Sequence, residues 1–152
     1  MRKESPRWLG ILKKMKEKGY RLTPQRLAVA KIVSESQEHP NAQRIYERIR
    51  NDFPGLSLAT IYKIMAVLKD LGEVMELSVG VGGSRYDGAR PYPHPHLICT
   101  GCQRIWDPEI PMLEDLPRKL AQKTGFQIHR HRLDFFGLCP RCQRRHSWRN
   151  EE

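Results

Sequence analysis

The chain has 152 residues, the usual size of one domain, or of two small ones if something besides a large core stabilises each. Hydrophobic residues make up 39% and charged residues 29%, and no apolar run approaches the roughly 18 residues of a membrane-spanning helix, which excludes a transmembrane protein. The charged N-terminus is not followed by a signal-type apolar stretch, so we expect a cytoplasmic location and no membrane partner.

Positive charge is concentrated at the start of the chain. The formal net charge is +10, and residues 1–31 hold ten Lys or Arg against two Glu. Such a basic region favours a polyanionic partner, above all nucleic acid, because each neutralised phosphate releases a counterion. A well-solvated surface is the alternative. Binding to an anionic membrane surface would need a helix with a broad aromatic and leucine face, which the sequence lacks.

The first third of the chain predicts three short helices. The first carries apolar residues at helical spacing and ends before Gly19. The second has Thr23 as its N-cap and Pro24 at its first position, and the third is capped by Asn41 and ends before a turn at residues 52–55.

A fourth helix carries the main DNA-binding prediction. Ser57 caps it, Gly72 closes it, and its face away from the apolar stripe shows two alanines beside Tyr62 and Lys63. This face suits a helix in the major groove, although an ordinary amphipathic surface helix remains the alternative. A two-stranded hairpin at 73–87 follows, so residues 1–88 are predicted to form a winged helix-turn-helix domain.

A second, smaller domain is predicted over residues 94–152, after a proline-containing linker at 89–93. In chain order it should contain strands at 96–99 and 104–106, a helix at about 112–123, a strand at 126–136 and a polar, fraying tail at 143–152. The whole chain is therefore predicted to be α+β.

Four cysteines form two Cys-x-x-Cys pairs, Cys99 with Cys102 and Cys139 with Cys142. In a reducing cytoplasm, two such pairs favour one tetrahedral structural zinc ion over disulfides. A redox-active dithiol and two idle reduced pairs are the alternatives. Because 37 positions separate Cys102 from Cys139, the zinc ion would hold distant elements together.

A second set of metal ligands is predicted near the domain junction. Two histidines, His94 and His96, lie two residues apart in an extended segment, and His39, Asp87 and Asp107 stand at the ends of other elements. A nitrogen and oxygen site of this kind suits ferrous iron, manganese or zinc.

Several ordered motifs between about Lys13 and Cys142 carry a family resemblance. They are Arg21 to Arg26, His39 with Ala42 and Tyr46, Ala59 to Lys63, Leu71-Gly72, Arg85 to Asp87, His94 with His96, Cys99 and Cys102 followed by Asp107, and Gly137 to Cys142. In these motifs the chain resembles the ferric uptake regulator family of bacterial metal-dependent repressors.

The resemblance implies a homodimer with winged-helix domains on a C-terminal dimerisation domain. It implies structural zinc on the four cysteines and a regulatory iron or manganese ion, or zinc, on the two aspartates and three histidines. The partner is then double-stranded DNA with an inverted-repeat operator. The predicted DNA-binding residues are Lys14, Lys16, Arg21, Ser57, Ala59, Thr60, Tyr62 and Lys63.

Within the family, Asp107 together with Asp87 resembles the peroxide-sensing branch, in which bound ferrous iron reacts with hydrogen peroxide and oxidises a histidine ligand. By that likeness His39 and His94 are the oxidisable residues. An iron-responsive or zinc-responsive repressor is the alternative. A further family metal site is half present, because Glu114 and His131 match it.

Two other classes of protein compete with a repressor. A non-haem iron enzyme needs open metal positions inside a substrate pocket, and this short chain lacks the strand series to build one, so no enzyme is expected. A zinc-containing adaptor that binds only proteins would not need the basic N-terminal region.

Overall fold

The computed structural model describes residues 6–80 and 82–147. The chain divides into two compact units, one running to Pro91 and the other beginning at Tyr92. No helix within the described residues is long and apolar enough to cross a membrane.

The first unit contains four helices followed by a hairpin. They are α1 (Arg7–Glu17), α2 (Pro24–Glu35), α3 (Ala42–Ile49), α4 (Leu58–Asp70), β1 (Met75–Ser78) and β2 (Ser84–Asp87). The strands pair antiparallel with Met75 opposite Asp87. This order confirms the predicted helices and hairpin of a winged helix. Val81, in the predicted hairpin turn, lies outside the described residues.

Local capping explains where three of these helices begin. The side chains of Thr23, Asn41 and Ser57 each accept a hydrogen bond from the backbone N–H three residues later, as the sequence predicted. Apolar side chains from all four helices then meet in one core that also takes in Val74 and Tyr86 of the hairpin region. The core fixes the inner face of α4 and leaves its outer face to solvent.

The second unit is a small three-stranded sheet with helices. Its elements are β3 (Pro95–Cys99), β4 (Ile105–Trp106), α5 (Pro111–Glu114), α6 (Leu116–Thr124), β5 (Leu133–Gly137) and α7 (Pro140–Ser147). The strand order is β4-β3-β5, with β3 antiparallel to β4 and parallel to β5. This confirms a mixed α/β unit.

The helix predicted at 112–123 is two helices. Asp115 ends α5 and begins α6, and Pro117 follows as the second residue of α6. Proline has no N–H to bond the carbonyl four residues earlier, and its ring clashes with that carbonyl. A single continuous helix through this position was therefore a wrong prediction.

The strand predicted at 126–136 begins only at Leu133. Its partner β3 is five residues long, and the register pairs Pro95 with Leu133 and Cys99 with Gly137. Residues 126–132 lie beyond the end of that ladder, so β3 offers them no backbone partners.

The tail is also more ordered than predicted. It was expected to fray from residue 143, yet α7 continues to Ser147, with Pro140 at its first position and basic side chains in its last turn. Both features favour a helix. Residues 148–152 of the predicted tail lie outside the described part of the chain.

Candidate metal centres and nucleic-acid interface

The four cysteines come together in the second unit. All four are free thiols, and their four sulfurs lie within 4.8 Å of one another. The Sγ atoms of Cys102 and Cys139 are 3.9 Å apart. Tetrahedral zinc with Zn–S bonds of 2.3 Å requires sulfur separations of about 3.8 Å. The cluster therefore fits a four-coordinate zinc ion.

A tight turn and the start of a helix create this cluster. Cys99 ends β3, and the chain then turns through Gly101 to Gln103, which has a positive φ of 62°. A Cβ atom on Gly101 would lie 3.0 Å from Cys142 Sγ, so the turn needs a glycine to approach the second pair. The second pair lies where β5 passes into α7.

In this cluster the pKa values of two thiols shift in opposite directions. Burial raises the pKa of the Cys99 thiol, but backbone N–H groups of Cys139, Cys102 and Gly101 donate to its sulfur and lower the pKa to about 6 overall. Burial and the neighbouring sulfurs raise the pKa of Cys142 to about 12. A divalent cation would relieve the repulsion that keeps all four from being thiolates together.

His39 and Asp87 meet in the first unit. The Nε2 atom of His39 lies 3.1 Å from Asp87 Oδ2, and each residue is 2% exposed. The other carboxylate oxygen of Asp87 accepts a hydrogen bond from the Arg90 backbone N–H at 2.9 Å. A buried imidazole against a buried carboxylate is a suitable half of a nitrogen and oxygen metal site.

Strand β2 positions both residues of this pair. His39 has a positive φ of 51°, which is uncommon for a residue other than glycine. Arg85 donates hydrogen bonds to the carbonyls of Glu38 and His39, and the Tyr86 N–H donates to the Pro40 carbonyl at 3.0 Å. The strand therefore fixes the backbone of the His39 loop through Arg85 and supplies Asp87 two residues later.

Three more predicted ligands meet in the second unit. His94 Nε2 lies 3.5 Å from Asp107 Oδ2, and His96 Nε2 lies 3.7 Å from Asp107 Oδ1. The two imidazole rings are 4.3 Å apart between centroids. Both Nε2 atoms thus face one carboxylate, as two nitrogen ligands and an oxygen ligand of one ion would.

The other ring nitrogen of each histidine also has a neighbour. His94 Nδ1 donates to the Tyr92 carbonyl at 2.8 Å, and His96 Nδ1 lies 3.3 Å from Asp134 Oδ1. Sequence reasoning missed Asp134. The available signal was an acidic residue within the otherwise apolar run Leu133 to Gly137.

The predicted DNA-contacting face of α4 is open to solvent. Tyr62 is 50% exposed, and Ala59 and Lys63 are exposed beside it. The Ser57 hydroxyl accepts from the Thr60 N–H, so Ser57 also caps the helix, and it lies 2.9 Å from the Thr60 hydroxyl.

The predicted phosphate contacts differ in their surroundings. Lys16 and Arg21 are exposed. Lys14 instead donates to the Glu73 carboxylate at 2.9 Å, which Arg7 also contacts at 3.0 Å. Burial alone raises the pKa of Glu73, but the hydrogen bonds from Lys14 and Arg7 outweigh it and lower the pKa. Lys14 therefore also ties α1 to the start of the hairpin.

The half-matched third site stays a prediction. Glu114 lies at the end of α5 and His131 just before β5. Neither belongs to a group of three or more possible metal ligands within residues 6–80 and 82–147.

One face of the second unit's sheet is an exposed apolar row. Leu97 pairs with Trp106 on one side and Phe135 on the other, and these side chains are 43%, 40% and 45% exposed. They line an open apolar depression. Such a surface is typical of a protein interface.

Comparisons with known proteins agree with this arrangement. The ferric uptake regulator family matches residues 17–136. The chain is 39% identical over 129 residues to the peroxide-responsive repressor PerR of Staphylococcus aureus strain USA300, covering 85% of this chain and 86% of that protein.

Solved structures are similar over nearly the whole chain. The Helicobacter pylori ferric uptake regulator, described as having three functional metal-binding sites, aligns with a TM-score of 0.78 at 26% identity, covering 90% of this chain and 91% of its own. The Campylobacter jejuni peroxide stress regulator aligns with a TM-score of 0.68 at 34% identity, covering 88% and 98%. The chain belongs to the ferric uptake regulator family of metal-dependent transcriptional repressors.

Proposed function

We propose that this protein is a homodimeric repressor that senses hydrogen peroxide through a regulatory metal ion, and that it acts by binding DNA rather than by turning over a substrate. The observation that carries the proposal is that each unit brings together one group of the predicted metal ligands. One unit supplies His39 against Asp87, and the other supplies His94 and His96 around Asp107. The 39% identity to a peroxide-responsive repressor favours peroxide over the iron-responsive and zinc-responsive alternatives.

The five ligands explain how a metal would control DNA binding. Two of them belong to the unit that carries α4, and three belong to the other unit. One ion that binds all five favours a single arrangement of the two units and so shifts the population toward it. By family likeness, this closed arrangement is the one that spans two operator half-sites.

The peroxide step would be carried out on this chain's own imidazoles. Iron held by these ligands would supply the chemistry that cleaves the peroxide O–O bond. In the net reaction one peroxide oxygen is inserted into a ring C–H bond of His39 or His94 and the other leaves as water, so the two electrons that reduce the peroxide come from the imidazole. A modified imidazole is a poorer metal ligand, so the unit that binds DNA is released from the closed arrangement.

Two further parts of the proposal concern assembly. Zinc on Cys99, Cys102, Cys139 and Cys142 is proposed to be structural, supported by the separation of their sulfurs. The exposed row formed by Leu97, Trp106 and Phe135 supports a homodimer, because burying these side chains against a second copy removes apolar surface from water.

Replacing His96 by alanine tests the switch. The variant should keep its zinc and its oligomeric state, yet bind operator no better with added manganese than without. The wild type should gain about 30- to 150-fold in affinity, the effect of a coupling free energy of about 2–3 kcal/mol. DNA affinity is measured by fluorescence anisotropy with and without manganese.

The matched control for this experiment is His129→Ala, which removes an exposed histidine from the same unit. It should respond to manganese as the wild type does. A His96→Ala protein whose operator affinity still rises with manganese would contradict the proposed ligand role of His96.

Tyr62 is proposed to contact base edges, and Lys16 to contact phosphate. A dimer with recognition helices in successive major grooves needs an inverted repeat with half-sites about 34–36 Å apart. Tyr62→Ala should lose about 1–3 kcal/mol on an inverted repeat selected from random DNA and much less on random duplex, whereas Lys16→Ala should weaken both equally. Salt titrations on both DNAs give the two losses, and equal losses for Tyr62→Ala would remove it from sequence readout.

A further inference from the structure

His96 stands between two carboxylates of the second unit. Asp107 Oδ1 lies 3.7 Å from Nε2 of the ring, and Asp134 Oδ1 lies 3.3 Å from Nδ1. The sheet produces this arrangement, because His96 and Asp134 are direct partners in the parallel ladder of β3 and β5. His96 is 1% exposed, so its ring orientation is set by these neighbours and not by solvent.

Asp134 is itself held in place. Its other oxygen, Oδ2, accepts a hydrogen bond from Arg132 Nη2 at 2.7 Å. The Asp134 side chain is 18% exposed, whereas that of Arg132 is 48% exposed. A mostly buried carboxylate costs free energy unless charged or hydrogen-bonding groups face it. Arg132 meets that need on one oxygen, whereas Oδ1, 3.3 Å from His96 Nδ1, accepts no hydrogen bond in the described structure.

The neighbouring histidine shows the same pattern with a different partner. The Tyr92 carbonyl can only accept, so the hydrogen bond to His94 places a proton on Nδ1 and directs the Nε2 lone pair toward Asp107. Beside His96, the 3.3 Å contact of Asp134 Oδ1 with Nδ1 is longer and lacks hydrogen-bond geometry, and a proton on Nδ1 would supply the donor that this buried oxygen lacks. Histidines that bind metals commonly donate their second ring N–H to a carbonyl or carboxylate in this way.

We propose that Asp134 is a positioning residue that accepts the Nδ1 proton of His96 and thereby leaves Nε2 as the metal-binding atom. The inference rests on the proposed function only in its consequence for metal affinity. The tautomer of His96 is a property of the zinc-containing protein before any regulatory metal binds. Loss of such a partner typically weakens metal binding 10- to 100-fold.

The first test is the tautomer itself. Long-range proton–nitrogen NMR spectra of the full chain, with zinc but no other metal, should show His96 protonated at Nδ1. Asp134→Leu removes the acceptor and should shift His96 toward the Nε2-protonated form. Asp134→Asn keeps an acceptor oxygen of similar shape and should retain the wild-type form. A wild-type His96 protonated only at Nε2 would overturn the proposal.

The second test is manganese titration of the same proteins. Asp134→Leu should bind manganese about 10- to 100-fold more weakly, with one zinc per chain retained. Asp134→Asn should lose less. The matched control is Asp115→Leu. Like Asp134, Asp115 is a carboxylate that pairs with an arginine, here Arg118, but within residues 6–80 and 82–147 it contacts no histidine. This substitution should leave both the tautomer and the manganese affinity unchanged.

The two readouts separate this inference from the proposed function. A wild type that shows the Nδ1-protonated tautomer but binds no manganese would refute the regulatory site and leave the role of Asp134 on His96 standing. Unchanged manganese affinity in Asp134→Leu, with the wild type binding normally, would overturn Asp134 as a positioning residue.

Discussion

Replacing Cys102 by serine should yield a zinc-poor protein that is monomeric or aggregates. Structural zinc contributes about 10–16 kcal/mol in small zinc-binding peptides, whereas whole domains are stable by only about 5–15 kcal/mol. The ion would join the turn after β3 to the start of α7, and no disulfide links these segments in the described structure. Losing one of four ligands therefore removes much of what holds the second unit together.

Zinc content, molar mass by light scattering and thermal unfolding measure the outcome for Cys102→Ser. The matched control is Thr100→Ser, because Thr100 lies in the same turn and its hydroxyl, which serine keeps, donates to the Gly137 carbonyl. The control should remain a zinc-containing dimer. A zinc-free Cys102→Ser dimer that melts at the wild-type temperature would rule out a structural role for the metal.

Features that depend on a few neighbouring residues could be predicted from the sequence. The N-caps at Thr23, Asn41 and Ser57 each require only a short side chain and the N–H three residues later. Each cysteine pair follows from one short segment that presents two sulfurs to one side. Local chemistry decides the caps and each pair, whereas the meeting of the two pairs depends on the pairing of β3 with β5.

Features that depend on a distant partner could not be predicted in this way. The start of β5 at Leu133 is fixed by the length of β3, almost forty residues earlier. Pairing of Asp134 with His96 follows from the same register, which periodicity alone does not reveal. The contact from Lys14 to Glu73 likewise joins α1 to the hairpin across 59 positions.

Replacing Asp107 by glutamate should abolish the peroxide response and preserve metal-dependent DNA binding. Each oxygen of Asp107 faces a different histidine, at 3.5 Å from His94 and 3.7 Å from His96. The short side chain favours binding to metal through one oxygen. Ferrous iron commonly takes six ligands, so the five proposed protein ligands would leave one position for peroxide. The extra methylene of glutamate lets both oxygens reach the ion and fill that position, while the charge is unchanged.

Iron-loaded wild type and Asp107→Glu are compared by mass spectrometry of histidine peptides and by operator release at modest peroxide. Wild type should gain one oxygen on His39 or His94 and leave the DNA, and the surface control Asp115→Glu should do the same. Asp107→Glu should gain none and stay bound. A wild type that stays on its DNA with unmodified histidines would make this an iron-responsive repressor. DNA binding would then depend on whether the five ligands hold a metal ion, and not on oxidation of a histidine.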